Sequence, residues 1–549
     1  MACASQPSFW QPRISTLLLG LCASHSITSR RFSICSNQGF ISSTLWPTTS
    51  HSEAQNFSVG AGGGVAAEIL SLAGWKVLLL EEGALRTSDS FRDMDEGRAY
   101  RELYQEGGAR ATSDGAIAVL RGRSVGGSTT VNWTSSFRTP EPTLQFWAAE
   151  REVVGHGVAD MKPWFEKMEQ RLGVMPWQTR NANNNVLKRG CDKLGWEAHA
   201  IPRNVRGCWD SGYCGLGCPV NAKQSMLVTT IPEALRHGAT LVHRVRVRQL
   251  QHADGRITGA VGEALRADGR TPSGVQLAIK ARHFVAAGGA INTPALLLRS
   301  KLPDPHQLLG KHTLIHPVVL SLAQFDERID PFYGAPQSIA SDHFQWKDGA
   351  TGPMGYKLEV PPIFPGIGAG VLNTFGDALR REMGALAHTN AALALLRDGF
   401  VDQSPGGSVR LADDGSPMLD YDLSDYVWDG VRRAWASMVE LQFAAGARQA
   451  RVAHVDARYH QNWNDAKQEI AKLPLKKFRA SLFTAHLMGG CAMSENPKRG
   501  VVDSRGRHHQ VANLSVLDGS VFPTSIGANP QLSIYALTAQ NASALAKAL

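Results

Sequence analysis

The amino-acid sequence predicts an α/β protein organised around a dinucleotide-binding βαβ unit. A glycine-rich turn at 58–64 leads into a helical stretch and a strand, and strand-like and helix-like segments alternate along the rest of the chain. The composition fits this class, because 43% of the 549 residues are hydrophobic and 19% are charged. A chain of this length has room for two or more domains.

The glycine-rich turn reads Ser58-Val59-Gly60-Ala61-Gly62-Gly63-Gly64 and precedes a helical stretch at 65–73 and a strand at 75–80. Glycines let the backbone approach a pyrophosphate, whose charge is stabilised by N–H groups at the start of the helix. Glu81 follows Gly60 by 21 residues, close to the spacing of about 20 at which an acid binds the adenosine ribose. We therefore expect Gly60, Gly62, Gly63 and Glu81 to bind a dinucleotide.

The turn departs from the usual pattern in two ways. Ser58 stands where the first glycine of the motif is expected, and the segment before Phe57 is polar from His51 to Asn56. The first strand of such a sheet is central and usually apolar, and unpaired polar side chains there would cost roughly 1–3 kcal/mol each. A damaged first strand would give a non-catalytic or cofactor-deficient protein, which stays open as an alternative to an enzyme.

Residues 1–52 differ from the rest of the chain. They contain Arg13, Arg30 and Arg31, many serines and threonines, and no lysine or acid. Three interpretations stay open: a signal peptide, a transit peptide, or a disordered or wrongly assigned N-terminus. We expect a cytoplasmic protein unless this segment directs it elsewhere.

The charge pattern and the lengths of the apolar runs limit the kinds of partner that we expect. The net charge is +9 and the basic residues are dispersed, which does not indicate a nucleic-acid surface. The apolar run at 14–23 is too short to span a bilayer, and no other run is long enough. We therefore expect no nucleic-acid partner and no integral membrane span.

Several motifs follow the first unit. A second glycine-rich stretch covers Gly122–Asn132, and an apolar strand at 283–287 leads through Gly288-Gly289 into a helix at 293–299. Between 312 and 475 the glycine motifs disappear, which suits a separate substrate-facing domain. The last 65 residues carry three more motifs: His486-Leu487-Met488-Gly489-Gly490, Leu517-Asp518-Gly519-Ser520 and Gly527-Ala528-Asn529-Pro530.

Taken together and in this order, these motifs resemble the glucose–methanol–choline (GMC) oxidoreductases. The resemblance runs from Ser58 to Leu549, and a nicotinamide-dependent dehydrogenase would share only the first motif. It implies a discontinuous FAD-binding, Rossmann-like domain at 53–311 and 476–549, capped by an α+β substrate domain at 312–475. It also implies hydride transfer from an alcohol to the flavin, and the pattern is closest to the members that oxidise long-chain alcohols and sterols.

The resemblance implies roles for individual residues. Val131 occupies the position where some relatives carry a histidine that binds the flavin covalently, so we expect non-covalent FAD. The residues expected to contact the cofactor, beyond those of the first turn, are Arg123, Gly126, Gly127, Ser128, Asn132, Val247, Asp518, Gly519, Asn529 and Pro530.

His486 is the expected catalytic base, and Asn529 is the expected second catalytic residue. Alcohol oxidation requires removal of the hydroxyl proton as hydride leaves carbon, and imidazole has a suitable pKa. The apolar stretch at 360–367 would suit the pocket of a hydrophobic alcohol. His312, His316 and His343 have no convincing metal spacing, and we expect them to be surface or core residues.

Three cysteines are clustered in the loop 207–219 as Cys208-x5-Cys214-x3-Cys218. Short thiol spacings of this kind can ligate an iron–sulfur centre, and the spacing resembles that of GMC sugar dehydrogenases with a three-iron cluster. The other interpretation is a structural loop of free thiols. A cluster would favour an external electron acceptor; oxygen, a quinone and a redox protein all stay open.

Overall fold

The computed structural model describes residues 52–372 and 374–549, and it confirms the α/β class. Segment 1–51, which holds nearly all of the unusual N-terminus, lies outside the described residues. In the described part no helix is both long and apolar enough to cross a membrane.

The helices and strands alternate as predicted. The described α-helices are α1 (Ala61–Leu72), α2 (Ser88–Phe91), α3 (Glu96–Leu103), α4 (Glu141–Glu150), α5 (Val158–Leu172), α6 (Ala182–Leu194), α7 (Thr230–Arg236), α8 (Gly289–Arg299), α9 (Pro365–Val371), α10 (Gly376–Gly384), α11 (Asp425–Ala444), α12 (Trp463–Lys472) and α13 (Gln531–Ala548). The described strands are β1 (Ser52–Phe57), β2 (Val77–Glu81), β3 (Ile117–Val119), β4 (Val174–Pro176), β5 (His199–Ala200), β6 (Pro202–Asn204), β7 (Thr240–His243), β8 (Val245–Ala253), β9 (Arg256–Leu265), β10 (Pro272–Ile279), β11 (Ala281–Ala286), β12 (Lys311–Leu314), β13 (Val318–Gln324), β14 (Ile339–Phe344), β15 (Tyr356–Glu359), β16 (Thr389–Leu396), β17 (Gly407–Leu411), β18 (Pro417–Asp420), β19 (Gln449–Val452), β20 (Leu482–Thr484), β21 (Met488–Gly489) and β22 (Leu514–Val516).

The nucleotide-binding sheet has five parallel strands in the order β22-β11-β1-β2-β7. This is the strand order of a doubly wound dinucleotide-binding fold. The segment 52–57 takes the central position, with Phe57 paired to Ala286 of β11 and to Leu80 of β2. The polar segment 52–57 therefore has the backbone pairing that a dinucleotide-binding βαβ unit requires.

A second, mixed sheet forms the other large layer. Its strand order is β3-β20-β13-β16-β15-β14-β5, and β19 also pairs with β13. α11 covers this sheet with fully buried Trp435 and Met438. Most strands of the sheet come from the predicted substrate domain, but β3, β5 and β20 come from outside 312–475. Residues from 52 onward belong to one compact unit, and the division into domains stays a prediction.

Local predictions were correct in type and imprecise at their ends. The turn at Gly255 joins the antiparallel strands β8 and β9, and its φ of +69° explains the glycine. Strands β7 and β8 are separated at Arg244, whose φ is +60°. The helix expected at 293–299 begins four residues earlier, at Gly289.

Candidate active site

A cleft of about 660 Å³ opens at the carboxyl ends of the parallel strands, where doubly wound folds bind their ligands. Its wall brings together the first turn, the second glycine-rich stretch, β8, the segment after β11 and the C-terminal motifs. The predicted site residues that line it are Gly60, Gly62, Glu81, Arg123, Gly127, Ser128, Asn132, Val247, His486, Asp518, Gly519, Asn529 and Pro530. Gly63 and Gly126 lie outside this lining.

The first turn is built around close backbone contacts. An alanine Cβ at Gly62 would overlap the Leu517 carbonyl group at the end of β22. A Cβ at Gly127 would lie 2.7 Å from the Cα of Gly60, so the two glycine-rich stretches approach each other without side chains between them. The lack of side chains at this point of approach suits the close backbone contacts that a diphosphate makes at the start of a helix.

Ser58 occupies the position of the first glycine with a backbone conformation that favours glycine. Its φ is +86°, its N–H donates to the Leu80 carbonyl at 2.7 Å, and its Oγ donates to Oε2 of Glu81 at 3.2 Å. The left-handed region costs an L-residue about 1–2 kcal/mol. The serine hydroxyl therefore offsets part of the strain that a glycine would avoid.

We expect Ser58→Val to reduce stability much more than Ser58→Gly. Glycine relieves the strain and loses one hydrogen bond, so stability should change by less than about 1 kcal/mol. Valine keeps the strain, loses the hydrogen bond and adds a branched Cβ, so it should cost about 2 kcal/mol or more. Thermal unfolding of the two purified variants measures the difference, and equal stability would contradict the assigned backbone conformation.

Glu81 is the last residue of β2, Glu82 follows it, and both line the cleft. Burial raises the pKa of Glu81 to about 7, although its carboxylate accepts hydrogen bonds from the N–H groups of Gly83 at 2.8 Å and Val59 at 3.0 Å. Burial alone would also raise the pKa of Glu82, but the guanidinium groups of Arg123 and Arg246 outweigh it and hold that pKa below its ordinary value. Glu82 is thus held in two ion pairs, whereas the Glu81 carboxylate is bonded to backbone N–H groups and to Ser58.

The second glycine-rich stretch holds its residues by local and distant hydrogen bonds. Ser128 Oγ accepts from the Gly122 N–H at 3.1 Å, and Asn132 Nδ2 donates to Gln531 Oε1 at 2.6 Å. Gly126 has a φ of +91° and serves the turn itself. Arg123, expected along the flavin, bonds to Glu82 at 3.0 Å and to the Gly269 carbonyl.

His486 follows β20 and lies half-buried in the cleft wall. Its N–H donates to Thr484 Oγ1 at 3.1 Å, and its Nδ1 lies 3.2 Å from Nδ1 of the buried His316. Burial lowers the pKa of His486 to about 4. The imidazole is therefore neutral at physiological pH and has a lone pair available to accept a proton.

Asn529 lies in the same cleft and is held by a buried acid. Its Nδ2 donates to Oε2 of Glu359 at 3.2 Å, and its Oδ1 is buried without a partner in the described part of the chain. The same Glu359 oxygen accepts from Gln337 Nε2 at 2.6 Å. Burial raises the pKa of Glu359 to about 7, and nearby Lys357 lowers it only in part.

We expect Glu359→Gln to change how stability depends on pH. The folded pKa of about 7 lies above the ordinary 4.5, so the folded protein binds the proton more tightly and loses stability as pH rises from 4.5 to 7. The loss is on the order of 3 kcal/mol. Glutamine keeps an acceptor for Asn529 and Gln337 and removes this dependence. Thermal unfolding of the holoenzyme should show the variant gaining on the parent between pH 5 and pH 8.

The exposed Glu327, which pairs with Arg189, provides the control. Glu327→Gln should follow the parent at every pH. A stability difference between Glu359→Gln and the parent that does not change with pH would contradict the raised pKa.

Comparison with known proteins decides the family. Models of the GMC oxidoreductase family match residues 100–318 and 402–538, which together are more than half of the chain. The chain belongs to the GMC oxidoreductase family. A GMC-type oxidoreductase of Mycobacterium tuberculosis is 30% identical over 89% of this chain and 75% of its own length.

A second relative and a solved structure extend the comparison. A long-chain-alcohol oxidase of Arabidopsis thaliana is 29% identical over 87% of this chain, and the match spans 66% of that longer protein. A solved structure of formate oxidase from Aspergillus oryzae shares the fold with a TM-score of 0.68 at 15% identity, covering 91% of this chain and 98% of that one. Membership of the GMC family implies FAD as the cofactor.

The residues of the cleft fit FAD. Arg121 is a residue that the sequence analysis did not single out: it lines the cleft, its Nη2 donates to the Gly288 carbonyl at 2.7 Å, and its buried Nη1 has no partner in the described residues. Burial lowers the pKa of Arg121 to about 10, so it stays a cation at neutral pH. A buried cation with a free donor in the lining of the same cleft suits the diphosphate of the cofactor.

Asp518 joins the start of α8 to the segment that follows β22. Its Oδ2 accepts from the Gly289 N–H and from Thr293 Oγ1, each at 2.6 Å, and its Oδ1 accepts from the Ser520 N–H at 2.8 Å. These contacts fix the start of α8 against the end of β22. Asp518 thereby positions Gly519 in the cleft wall.

The cysteine loop does not fit an iron–sulfur centre. Within 52–372 and 374–549, no three His, Cys, Asp or Glu side chains converge as a metal-binding group. Cys214 Sγ instead accepts from Arg203 at 3.6 Å, and Cys218 Sγ accepts from the Lys223 N–H at 3.4 Å. The buried Lys223 ammonium donates to the carbonyls of Thr130, Asn132 and Cys214, so the loop supports the second glycine-rich stretch.

Proposed function

We propose that this GMC oxidoreductase oxidises a hydrophobic alcohol with FAD, using His486 as the base and Asn529 as the second catalytic residue. One observation carries the proposal: the cleft that begins at the nucleotide-binding turn also contains both side chains. Bound FAD supplies the hydride acceptor. The similarity to a long-chain-alcohol oxidase supports the same class of reaction.

His486 takes the hydroxyl proton of the substrate. Its Nδ1 faces His316, and no hydrogen bond joins its Nε2 to the described residues, so Nε2 is the atom available to the substrate. The lowered pKa keeps the imidazole neutral until the reaction begins. General-base catalysis of this kind contributes about 10²- to 10⁴-fold to a rate.

Asn529 binds the oxygen of the alcohol. Glu359 accepts one of its two Nδ2 protons, which fixes the plane of the amide in the cleft. The polar end of the cleft is therefore small and preorganised, as binding of a single hydroxyl group requires.

Part of the cleft lining is apolar and suits a hydrocarbon chain. It combines side chains of the mixed sheet with side chains of the segment 360–367, which the sequence analysis proposed for this role; the apolar residues are Val318, Pro362, Phe364, Ile367, Leu393, Leu395 and Phe483. Burial of each methylene of a substrate is worth about 0.8 kcal/mol. The electron acceptor remains open among oxygen, a quinone and a redox protein.

A panel of straight-chain primary alcohols tests the proposal. We expect kcat/KM to rise about tenfold for every two methylenes until the cleft is filled, because two methylenes contribute about 1.6 kcal/mol. Turnover is followed with oxygen and with a dye as acceptor, so that the acceptor does not decide the outcome. A preference for glucose or choline over every straight-chain alcohol would contradict a hydrophobic substrate.

Two phenylalanine variants distinguish an effect of the cleft wall on alcohol preference from an effect of the protein surface. Phe364→Ala removes an apolar side chain from the cleft wall and should reduce the gain in kcat/KM per methylene. Phe375 is 89% exposed and is not part of the lining, so Phe375→Ala should leave that gain unchanged.

A further inference from the structure

His316 touches the proposed base and has no role in the proposed function so far. It lies in the turn between β12 and β13 and is completely buried. Its Nδ1 lies 3.2 Å from Nδ1 of His486, and the two rings are tilted by 32° with centroids 5.4 Å apart. This is the distance of a hydrogen bond between two imidazoles, in which one nitrogen donates and the other accepts.

The turn that carries His316 is held in a strained conformation. His316 has a φ of +50°, which is uncommon for a residue other than glycine. The buried carboxylate of Asp398 accepts from the N–H groups of Ile315 at 3.0 Å and His316 at 3.1 Å, and Tyr421 donates to the same carboxylate at 2.8 Å. A strained residue that is fixed by a buried acid is typical of positions whose geometry serves a function.

The same turn also holds the backbone of the base. Thr484 Oγ1 accepts from the His486 N–H at 3.1 Å and donates to the carbonyl of Ile315. His486 is therefore tied to the turn twice, through its backbone and through its ring. The two histidines keep their relative position even though they are 170 residues apart in the chain.

We propose that His316 is a positioning residue that sets the tautomer and orientation of His486. When Nδ1–H of His486 donates to Nδ1 of His316, Nε2 of His486 keeps its lone pair and can take the hydroxyl proton of the alcohol. After the transfer His486 carries protons on both nitrogens and can only donate, and Nδ1 of His316 is the acceptor that it meets. This role rests on the proposed function of His486 as base.

His316 is free to act as that acceptor. Its Nε2 has no partner among the described residues, so no contact on its far side fixes which nitrogen carries its proton. Burial lowers the pKa of His316 well below its ordinary value, and His486, Lys357 and Arg397 lower it further. His316 therefore stays neutral and accepts the hydrogen bond rather than competing for the substrate proton.

The test compares variants of His316 in the FAD-loaded enzyme by rapid mixing with a straight-chain alcohol without oxygen. His316→Phe keeps an aromatic ring and removes the acceptor, and we expect flavin reduction at saturating alcohol to slow at least tenfold. His316→Gly tolerates the positive φ and should slow the reaction equally. His316→Asn places an oxygen near the position of Nδ1, tolerates a positive φ, and should stay within threefold of the parent.

The alcohol concentration that gives half the maximal rate of reduction should be unchanged in all three variants, because His316 acts on the proton transfer and not on alcohol binding. The control is His312→Phe: His312 has a similar φ of +51° in the same region, bonds to the Pro405 carbonyl at 3.0 Å and is exposed, so its replacement should leave the rate unchanged.

Two results would overturn the inference alone: reduction of His316→Gly at the parental rate, or an asparagine variant as slow as the glycine variant. The second result would mean that the imidazole acts by its shape and not by accepting a hydrogen bond. A parent enzyme that binds FAD and is reduced by no alcohol would overturn the proposed function together with this inference.

Discussion

Replacing His486 by asparagine should lower the rate of flavin reduction by an alcohol about 10²- to 10⁴-fold and leave FAD bound. Asparagine is polar and similar in size, but it cannot accept a proton at neutral pH. The pKa of His486, lowered to about 4 by burial, means that the parent holds the base in its active form above that pH. Stopped-flow absorbance at saturating alcohol measures the loss directly.

His343 provides the matched control for this experiment. It stacks on Trp196 with ring centroids 5.7 Å apart and does not line the cleft. His343→Asn should therefore reduce the rate by less than a factor of two. If alcohol reduced the flavin of His486→Asn as fast as the flavin of His343→Asn, the base would have to be another group.

The second large effect is expected at Gly62, where alanine should prevent formation of a stable holoenzyme. The new Cβ would overlap the carbonyl group of Leu517. That group belongs to the backbone and cannot turn away as the end of a flexible side chain could. Overpacking of a core costs roughly 1–3 kcal/mol or more, and a clash with backbone lies at the upper end. Flavin content after purification and the thermal unfolding temperature measure the effect.

A substitution at Gly60 should affect cofactor binding without affecting folding. A Cβ at Gly60 would meet only the Cα of Gly127 at 3.9 Å, which is an ordinary contact. Gly60→Ala should therefore fold, and it should bind FAD at least tenfold more weakly, because its methyl group enters the space that a diphosphate needs.

Gly384, at the end of α10, is the control, because a Cβ there meets no atom within 4 Å. Gly384→Ala should match the parent in flavin content and in stability. A Gly62→Ala protein with full flavin content and unchanged stability would contradict the close contact between α1 and β22.

The sequence was most informative where a motif is local. The turn at 58–64 predicted the order strand, helix, strand and acid, because each of those features depends on near neighbours along the chain. The long-range motifs at His486 and Asn529 gained their meaning from their resemblance to the GMC family. Their presence in one cleft depends on a fold that brings the chain ends together.

Three important side chains could not be recognised from the sequence. Arg121, His316 and Glu359 contact partners far away in the chain, and their neighbours in the sequence do not identify those partners. A signal was present at Glu359, since an acid between Leu358 and Val360 interrupts an apolar run and must find partners when it is buried. The sequence could not say that these partners would be Gln337 and Asn529.

The structure gives a physical explanation for the two departures of the first turn from the usual motif. Ser58 takes the left-handed conformation of the glycine it replaces, and its hydroxyl group bonds to Glu81. The segment 52–57 pairs with β11 and β2 despite its polar sequence. Backbone pairing on both sides is compatible with many side chains, which is why the hydrophobic pattern alone was a poor guide here.

Anaerobic mixing of the purified protein with a long-chain primary alcohol tests the central claim most directly. The account predicts that the protein carries FAD and that the absorbance of the oxidised flavin disappears with one equivalent of alcohol per flavin. A protein that binds FAD stoichiometrically and is bleached by dithionite, but by none of a series of alcohols, would contradict it.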